Sequence, residues 1–552
     1  MDSLHRTPET LARAIDVAMR RRPADLLIKH ARLFNLVTGE LTRTDIAISD
    51  GIVAALGTGY DGSDILDADG LTAIPGFIDA HCHVESSLVT PYQFEELVLP
   101  RGTVAAVCDP HELANVAGTS AIDWFLDCAA GMNMHLEVRL PSCVPALPGE
   151  SNGATLDATA LRPYASRCGL AEFMNVPGIL DKDADVLRKL SNHDGFLTDG
   201  HAPMLSGDAL QAICAAGVAN DHEASSLPEA LEKLRLGMTV FLRYGSVGRD
   251  IEKLWPTLTL THCAHLCLCT DDRGPREIAE EGHIDAAIRL AVTRGCDPLA
   301  VYRAACLTPA RHFGWRTRGL IAPGYQADIV LVSDLAQCDV RQVICGGRRV
   351  TPDLFASRPS EPSADAFRHS VHLKRPLTAG DFIMPPTTEA IGIHPDSLIT
   401  ERVSLTNPES PHTNTAALIE RHGGNGAIGL AQVTGFNLKH GALASTIGHD
   451  SHNLCVIGAT PEDMAVAANA LANCGGGWAV AIDGQVTARE ALPLGGLMSD
   501  APVGDILNGL KQLYSAAEAT GCTHPAPFIA LSFLPLPVIP AARLTLRGYT
   551  TV

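Results

Sequence analysis

Short apolar runs alternate with amphipathic, helix-like stretches through the middle of the chain, from about Pro75 to Trp315. The apolar runs include TVAAVCD, GVAND and LCLCTDD, and the helix-like stretches include LPEALEKLRLG and EGHIDAAIRLAVTRG. Strands that alternate with helices in this way are typical of a TIM-type (β/α)8 barrel, whose usual size is about 250 residues. We therefore predict that residues 75–315 form such a barrel, with polar residues gathered where its strands end.

The two segments that flank this region have short β-type runs separated by turn signals. The first spans residues 25–74, with Thr-Gly and Asp-Gly at its corners, and the second spans residues 316–355. Because both segments have the same pattern, we predict that they pair into one small β-sheet domain beside the barrel. Residues 1–24 are polar and partly amphipathic, which favours an N-terminal helical segment.

A stretch that contains proline and serine, ASRPSEPSADAF, predicts a joint at residues 356–367. Beyond it, residues 376–552 mix glycine-rich turns such as RHGGNGAIG with helical runs such as DILNGLKQLYSAAEATG. This mixture predicts an additional C-terminal domain of α/β or α+β architecture. The fold class expected for the whole chain is α/β, with a TIM-type barrel, a flanking small β-sheet domain and this C-terminal domain.

Composition and charge narrow the class of protein and of partner. The 552 residues are 46% hydrophobic and 19% charged, which suits a globular chain of several domains. The formal charge of −20 opposes binding to nucleic acid or to anionic membranes, so we expect a small-molecule partner. The N-terminus lacks the apolar core of a secretory signal, and the longest apolar runs are too short to cross a bilayer. We therefore expect a cytoplasmic protein with reduced cysteines.

The clearest local sign of chemistry is the segment PGFIDAHCHVESS, in which His81 and His83 follow an apolar run and are separated by one residue. Because side chains alternate along a strand, both imidazoles lie on one face and can hold one metal ion. Two histidines at the end of a strand also occur without a metal. This pair by itself leaves both interpretations open.

Further residues of the metal-ligand type recur where other candidate strands end. They are Glu172 in AEFMN, His201 in TDGHAP, His222 in NDHEAS and Asp271 in CTDDR. Imidazole and carboxylate ligands suit Zn, Mn or Fe, and six such groups suffice for two divalent ions that share a bridging oxygen. Each residue alone is better interpreted as structural. Their ordered recurrence at strand ends predicts a binuclear metal site.

Two polar motifs, DPHE and GHDSHN, lie outside this set of six. Their chemically active residues are Asp109, His111, Glu112, His449, Asp450 and His452. DPHE lies where the second barrel strand ends, and it suits either substrate binding and proton transfer or a structural network. GHDSHN suits either a contribution to a substrate pocket or a tight turn held by side-chain hydrogen bonds.

Longer segments add a resemblance to a known family. They are PGFIDAHCHVESS, LPRGTVAAVCDPHELANVAG, AEFMNVPG, DGHAPMLSG, DHEASSLPEALEKLRLGM, CTDDR, EEGHIDAAIR, LTPARHFG followed by GLIAPGYQADIVL, GALASTIGHDSHN, GGLMSD and LSFLPLPVIP. The chain resembles the amidohydrolase superfamily and, within it, the bacterial-type adenine deaminases. The resemblance covers nearly the whole chain and implies a barrel, a flanking β-sheet domain and a family-specific C-terminal domain.

The resemblance also implies a metal centre. The matching positions imply two divalent ions, which are Mn or Fe, with Zn also permitted by the ligand types. His81 and His83 would bind one ion, and His201 and His222 would bind the other. Glu172 would lie between them in place of the carbamylated lysine of many relatives, and Asp271 would complete the site. Cys82, where a small aliphatic residue is common, and Tyr244, where an acidic residue is expected, depart from the family pattern.

The reaction implied is the hydrolysis of adenine to hypoxanthine and ammonia, a step of purine salvage. A hydroxide held between the ions adds to C6 of the purine, and Asp271 takes its proton and passes it toward the departing amine. A second acid must protonate the ring nitrogen next to C6, and either Glu172 or Glu223 suits this role. The DPHE and GHDSHN residues are then candidates for the purine pocket.

Two other functions stay open. An amidohydrolase of cyclic amides, similar to dihydroorotase or hydantoinase, usually supplies a bridging lysine where this chain has Glu172. A catalytically silent scaffold with the same fold is disfavoured because all six ligand-type residues are present. The expected partners are a small purine substrate and further copies of the chain in a homo-oligomer.

Overall fold

The computed structural model of the chain describes residues 6–147, 149–395, 397–405, 413–537 and 541–551. Within these ranges the strands are β1 Ala24–Phe34, β2 Leu41–Ser49, β3 Ile52–Leu56, β4 Gly62–Asp67, β5 Thr72–Pro75, β6 Phe77–Cys82, β7 Thr103–Cys108, β8 His135–Val138, β9 Leu170–Phe173, β10 Thr198–Gly200, β11 Asn220–Asp221, β12 Thr239–Arg243, β13 Leu266–Cys269, β14 Ile329–Val332, β15 Val340–Cys345, β16 Arg348–Arg349, β17 Glu389–His394, β18 Ser397–Ser404, β19 Thr413–Ile419, β20 Ile428–Thr434, β21 Ala442–Ser445, β22 Leu454–Gly458, β23 Gly477–Ile482, β24 Gln485–Ala491, β25 Ala542–Thr545 and β26 Gly548–Thr551.

The helices complete the element list for the same residues. They are α1 Pro8–Ala18, α2 Pro91–Val98, α3 His111–Ala117, α4 Thr119–Gly131, α5 Ala158–Leu161, α6 Val176–Leu180, α7 Ala184–Asn192, α8 Gly207–Ala215, α9 Leu227–Arg235, α10 Ile251–Leu254, α11 Pro275–Glu280, α12 Ile284–Thr293, α13 Pro298–Tyr302, α14 Thr308–His312, α15 Pro352–Ala356, α16 Pro461–Cys474, α17 Val503–Ala519 and α18 Pro527–Phe533. In the part of the chain that is described, no helix combines the length and the apolar character needed to cross a bilayer.

The strands β6 to β13 form a closed parallel barrel. Three groups of strands pair through regular ladders: β6 with β7 and β8, β9 with β10, and β11 with β12 and β13. Single parallel bridges join these groups at Leu140–Leu170, at Thr198–Val218 and, to close the barrel, at Cys82–Asp271. The TIM-type barrel expected from the alternating pattern is therefore confirmed. Its strands carry the residues of the candidate site at their carboxyl ends, as in other barrels of this type.

A small sheet lies beside the barrel and is built from both flanks of the barrel sequence. Its order is β16-β15-β14-β5-β1-β2-β3, with β4 paired to β1. The flanks meet where β5 pairs antiparallel with β14, with Ile74 opposite Val330. The helix α1 of the predicted N-terminal segment packs on β2 and β3, while residues 1–5 of that segment lie outside the described residues.

The C-terminal part forms a third unit around a mixed sheet of order β18-β17-β20-β19-β22-β21-β23-β24. The helix α16 packs on β21 to β23, α17 packs on β24, and the β25–β26 hairpin packs on β20. This unit shares one apolar core with the barrel, because Leu113 of α3 and Leu494 belong to the same buried cluster. The exact domain bounds 1–24, 25–74 with 316–355, 75–315 and 376–552 stay a prediction.

Candidate active site

The six ligand-type residues singled out in the sequence converge at one mouth of the barrel. His81 lies on β6, and Glu172 lies on β9, while the other four follow the ends of their strands. Five of the six are buried, and His201 is half-buried. Because parallel strands of a barrel end at the same rim, residues far apart in sequence meet there.

Glu172 lies between two pairs of histidines. Its Oε1 atom is 3.3 Å from His83 Nε2 and 3.8 Å from His81 Nε2. Its Oε2 atom is 2.7 Å from His201 Nδ1 and 3.3 Å from His222 Nε2. One carboxylate therefore offers a separate oxygen to each pair, which is the arrangement that a bridging ligand requires.

Asp271 completes the first pair. Its Oδ1 atom is 3.1 Å from His83 Nε2 and 3.5 Å from His81 Nε2. Its Oδ2 atom faces the other way and accepts a hydrogen bond of 2.7 Å from Arg243 Nη1. The two oxygens of Asp271 thus have different partners, one among the imidazoles and one on a fixed cation.

The donor set fits divalent metal ions. Nitrogen and oxygen atoms of His81, His83 and Asp271 lie within 4.8 Å of one another, and so do those of His201, His222 and Glu223. The Nε2 atom of His81 is buried and makes no hydrogen bond to any described residue. A buried nitrogen without a partner costs about 1–3 kcal/mol, so an ion that accepts its lone pair would remove this cost.

The charges around Glu172 show what a cation would replace. Burial raises the pKa of Glu172, but hydrogen bonds from His111, His201, His222 and His83 outweigh it and hold this pKa well below its usual range. Burial lowers the pKa of His222, but Glu172 and the nearby Asp271 raise it to about 9. The raised pKa values of His83, His201 and His222 favour protonated imidazoles that balance the carboxylates in the metal-free protein, whereas burial lowers the pKa of His81. Divalent ions compete with those protons for the same nitrogen atoms.

The DPHE motif lies against the metal-ligand residues. Asp109 follows β7, and His111 is the first residue of α3. His111 Nδ1 lies 3.1 Å from Asp109 Oδ2 and 3.3 Å from Glu172 Oε1. The motif therefore forms the wall of the site next to Glu172.

The GHDSHN motif of the C-terminal unit meets this wall. Glu112 Oε1 is 2.6 Å from His449 Nδ1 and 3.3 Å from His111 Nε2, and Glu112 also contacts His452. Asp450 Oδ1 lies 3.8 Å from His111 Nε2. The mouth of the barrel is thus covered by the C-terminal unit at this point, and both motifs line one buried cluster.

Comparison with known proteins agrees with this geometry. A family model described as "Amidohydrolase family" matches residues 72–350, and one described as "Adenine deaminase C-terminal domain" matches residues 398–552. The chain is 48% identical over 561 residues to an adenine deaminase of Methylobacterium nodulans, covering 99% of both chains. It is 48% identical over 565 residues to an adenine deaminase of Sinorhizobium fredii, covering 99% of this chain and 98% of the relative.

The chain belongs to the adenine deaminase family of amidohydrolases. The family resemblance inferred from the sequence is thereby confirmed. Membership of the amidohydrolases implies that the protein binds divalent metal, and the buried imidazoles and carboxylates at the barrel mouth supply suitable ligands.

The site also contains Arg243, which the sequence reasoning missed. It is the last residue of β12 and is buried. Besides Asp271, it contacts both oxygens of Glu223, and its Nε atom donates to Asp250 Oδ2 at 2.9 Å. Its position at a strand end was the available clue.

Glu223 and Tyr244 flank Arg243. Glu223 Oε1 lies 3.5 Å from His222 Nε2 and 3.9 Å from His201 Nδ1. Tyr244, which departs from the family pattern, packs its ring under the guanidinium of Arg273 at 4.6 Å and donates to Glu281 at 3.4 Å. Arg243 therefore supplies the fixed charge that links Glu223 to Asp271, while Tyr244 packs against Arg273 and Glu281.

Proposed function

We propose that this protein removes the exocyclic amine of adenine by hydrolysis and releases hypoxanthine and ammonia. The observation that carries the proposal is the position of Glu172, whose two oxygens face the His81–His83 pair and the His201–His222 pair in a chain 48% identical, over nearly its full length, to adenine deaminases. The substrate class is therefore a small purine.

We assign the metal ligands as the geometry groups them. His81 and His83 with Asp271 would hold one divalent ion, His201 and His222 would hold a second, and Glu172 would reach both. The ligand types suit Mn or Fe, and also Zn. When bound, such ions lower the pKa of a water molecule toward neutrality and so supply the attacking hydroxide.

Asp271 is the proposed carrier of the proton from the attacking water to the departing amine. One of its oxygens faces the metal-ligand histidines, while Arg243 fixes the other. Burial raises the pKa of Asp271, but His81, His83 and Arg243 together hold it well below its usual range. The carboxylate is therefore ionised at neutral pH, which is the protonation state that a proton acceptor needs.

Glu223 is the better placed of the two acids considered for the purine ring nitrogen. Both oxygens of Glu172 face metal-ligand histidines, so Glu172 would be tied to the ions, whereas the oxygens of Glu223 face the guanidinium of Arg243. Glu223 lies next to His201 and His222, and its side chain is partly exposed. We assign Glu223 as the acid and Glu172 as the residue that holds the centre together.

The purine itself is proposed to lie against the cluster formed by the two polar motifs. Its residues are Asp109, His111, Glu112, His449, Asp450 and His452. Adenine presents ring nitrogens that accept hydrogen bonds and N–H groups that donate them. The carboxylates and imidazoles of this wall offer both acceptors and donors of hydrogen bonds. Because the wall is buried, a ligand that left any of these groups unpaired would bind more weakly than adenine. Assembly of the chain into a homo-oligomer stays a prediction.

The deciding experiment follows adenine absorbance during its conversion to hypoxanthine, with Mn-loaded wild type and an Asp271→Asn variant. We expect wild type to turn over adenine and the variant to lose about 10²–10⁴-fold in kcat, because it lacks both the proton carrier and a proposed metal ligand. Asp208→Asn, on the exposed face of α8, is the matched control and keeps full activity. Ring opening of a hydantoin without release of ammonia from adenine would overturn the proposal in favour of a cyclic amidohydrolase.

A further inference from the structure

Lys233 is a fully buried lysine that the proposed reaction does not use. It lies on α9, with a side chain of 0% exposure. Its Nζ atom donates to Asp221 Oδ2 at 2.7 Å, to the carbonyl of Ala202 at 2.7 Å and to Glu229 Oε1 at 2.8 Å. Lysine is almost never fully buried unless it is paired, and these three partners use all three of its protons.

The partners of Lys233 are the neighbours of two proposed metal ligands. Asp221 directly precedes His222, and Ala202 directly follows His201. Asp221 Oδ1 accepts the Ala202 N–H at 2.8 Å, while Asp221 Oδ2 accepts the N–H groups of Glu223 at 3.1 Å and Ala224 at 2.9 Å. The N–H and the carbonyl of Ala202 are therefore both held by this ion pair.

Regular sheet pairing contributes little at this place. The strands β10 and β11 end one residue before His201 and His222, and they are joined by the single bridge Thr198–Val218 rather than by a ladder. The bridge lies three residues before His201 and four residues before His222. Side chains thus tie the two strand ends together where the metal-ligand residues begin.

We infer that the Lys233–Asp221 pair is a positioning device that sets the separation of His201 and His222. The inference rests on the proposed function, since it assumes an ion on that side of Glu172. Lys233 touches no reacting atom, so it is a positioning residue. Its loss should cost the ion held by His201 and His222 and spare the other.

The spared side has a positioning group of its own. Asp79 Oδ1 accepts the N–H of His81 at 3.3 Å and the N–H of Thr270 at 3.0 Å. His81 and Asp271, the residue after Thr270, are therefore tied together by Asp79, independently of Lys233. This separation between the two halves predicts a selective effect rather than a general collapse of the centre.

The experiment counts metal ions in the Mn-loaded protein after dialysis, by elemental analysis, and records the electron paramagnetic resonance spectrum. We expect wild type to hold two ions per chain and to show the spectrum of an interacting Mn pair. Lys233→Met should hold one ion and show an isolated Mn signal. Two ions in Lys233→Met, with the spectrum of the interacting pair, would overturn the inference.

A double variant separates positioning from folding. Lys233→Met leaves the Asp221 charge buried and unpaired, which destabilises the fold, whereas Lys233→Met with Asp221→Asn removes both charges. Because the double variant still lacks the bond to the Ala202 carbonyl, we expect its thermal unfolding temperature to recover while its metal content stays at one ion. Recovery of both quantities would overturn the inference, since the pair would then be merely structural.

Arg318→Gln is the matched control, because it removes the buried ion pair between Arg318 and Asp328, the residue that directly precedes β14 of the flanking sheet. The Arg318→Gln variant should lose stability and keep two ions. If it lost one ion, the conclusion that Lys233 acts selectively on the ion held by His201 and His222 would be overturned. Wild type that binds fewer than two ions would contradict the proposed centre itself, and the inference with it. That outcome is distinguishable because it appears before any substitution is made.

Discussion

A substitution of His449 tests whether the C-terminal unit binds substrate. His449 Nδ1 is 2.6 Å from Glu112 Oε1, and its ring stacks on Phe533 at 4.4 Å. In the proposed site, His449, whose pKa burial lowers but Glu112 raises to about 9, donates a hydrogen bond to adenine. Losing a hydrogen bond from a charged donor costs about 1.5–3 kcal/mol, so we expect His449→Ala to raise KM for adenine by about 10–100-fold with kcat nearly unchanged. Steady-state kinetics measure both constants.

The control is His440→Ala, an exposed histidine of the same unit. It should leave KM at the wild-type value. A His449→Ala variant that loses kcat and keeps KM would contradict a role in binding, because an interaction made only in the transition state behaves in that way.

Single residues also show how far sequence reasoning reached. His81, His83, Glu172, His201, His222 and Asp271 were identified because each follows or ends an apolar run, which is a local pattern. Arg243 has the same placement, yet an arginine at a strand end is also common on protein surfaces. The contact of Glu112 with His449 was not predictable, because the motifs lie in different units and nothing local specifies their approach.

At the scale of elements, the packing of α17 on β24 contains a carboxyl group with a shifted pKa. Burial, and then repulsion from Asp505 at the start of α17, raise the pKa of Glu490 from 4.5 to about 7. An acid with a raised folded pKa costs no stability below pH 4.5. As the pH rises from 4.5 to 7, the unfolded chain releases the proton first, so the folded state loses stability.

We therefore expect Glu490→Gln to be more stable than wild type above pH 7, by about 1 kcal/mol, a value reduced because Glu490 is only half-buried. The two proteins should converge near pH 4.5. Denaturant unfolding from pH 4.5 to 8.5 measures this, with Glu518→Gln, an exposed residue of α17, as the control. Parallel stability curves for wild type and Glu490→Gln would show that Glu490 does not titrate as described.

The sequence patterns predicted the strands and helices of the barrel better than the bridges that join its groups of strands. The runs TVAAVCD and LCLCTDD became β7 and β13, and LPEALEKLRLG became α9. The single bridges between strand groups were not predictable, since β11 has only Asn220–Asp221, and Asp221 bonds the distant side chain of Lys233. Periodicity reports which face of an element is buried, but it does not report how two strand ends are joined.

At the scale of the whole molecule, the barrel and the C-terminal unit behave as neighbours that share a core. Ser499 N–H donates to the Leu88 carbonyl at 2.9 Å, and Leu113 packs in the same cluster as Leu494. The polar contacts of Glu112 lie directly beside this apolar contact. Stabilisation of the metal centre should therefore reach the C-terminal unit.

Removal of metal should lower the thermal unfolding temperature of both units by several degrees. Ions that bind only the folded state stabilise it by about 2.7 kcal/mol at a free concentration of 100 times Kd, and the shared core transmits this to the C-terminal unit. Because protons compete for the imidazoles, and the pKa of His222 is about 9 in the metal-free protein, the stabilisation by Mn should grow as the pH rises toward 9.

Calorimetry of chelated and Mn-reloaded protein, with limited proteolysis of residues 413–537, measures both effects. Mg²⁺ is the control, since it prefers oxygen ligands and should not restore the unfolding temperature. An unchanged unfolding temperature after complete chelation would contradict a metal centre built from these imidazoles.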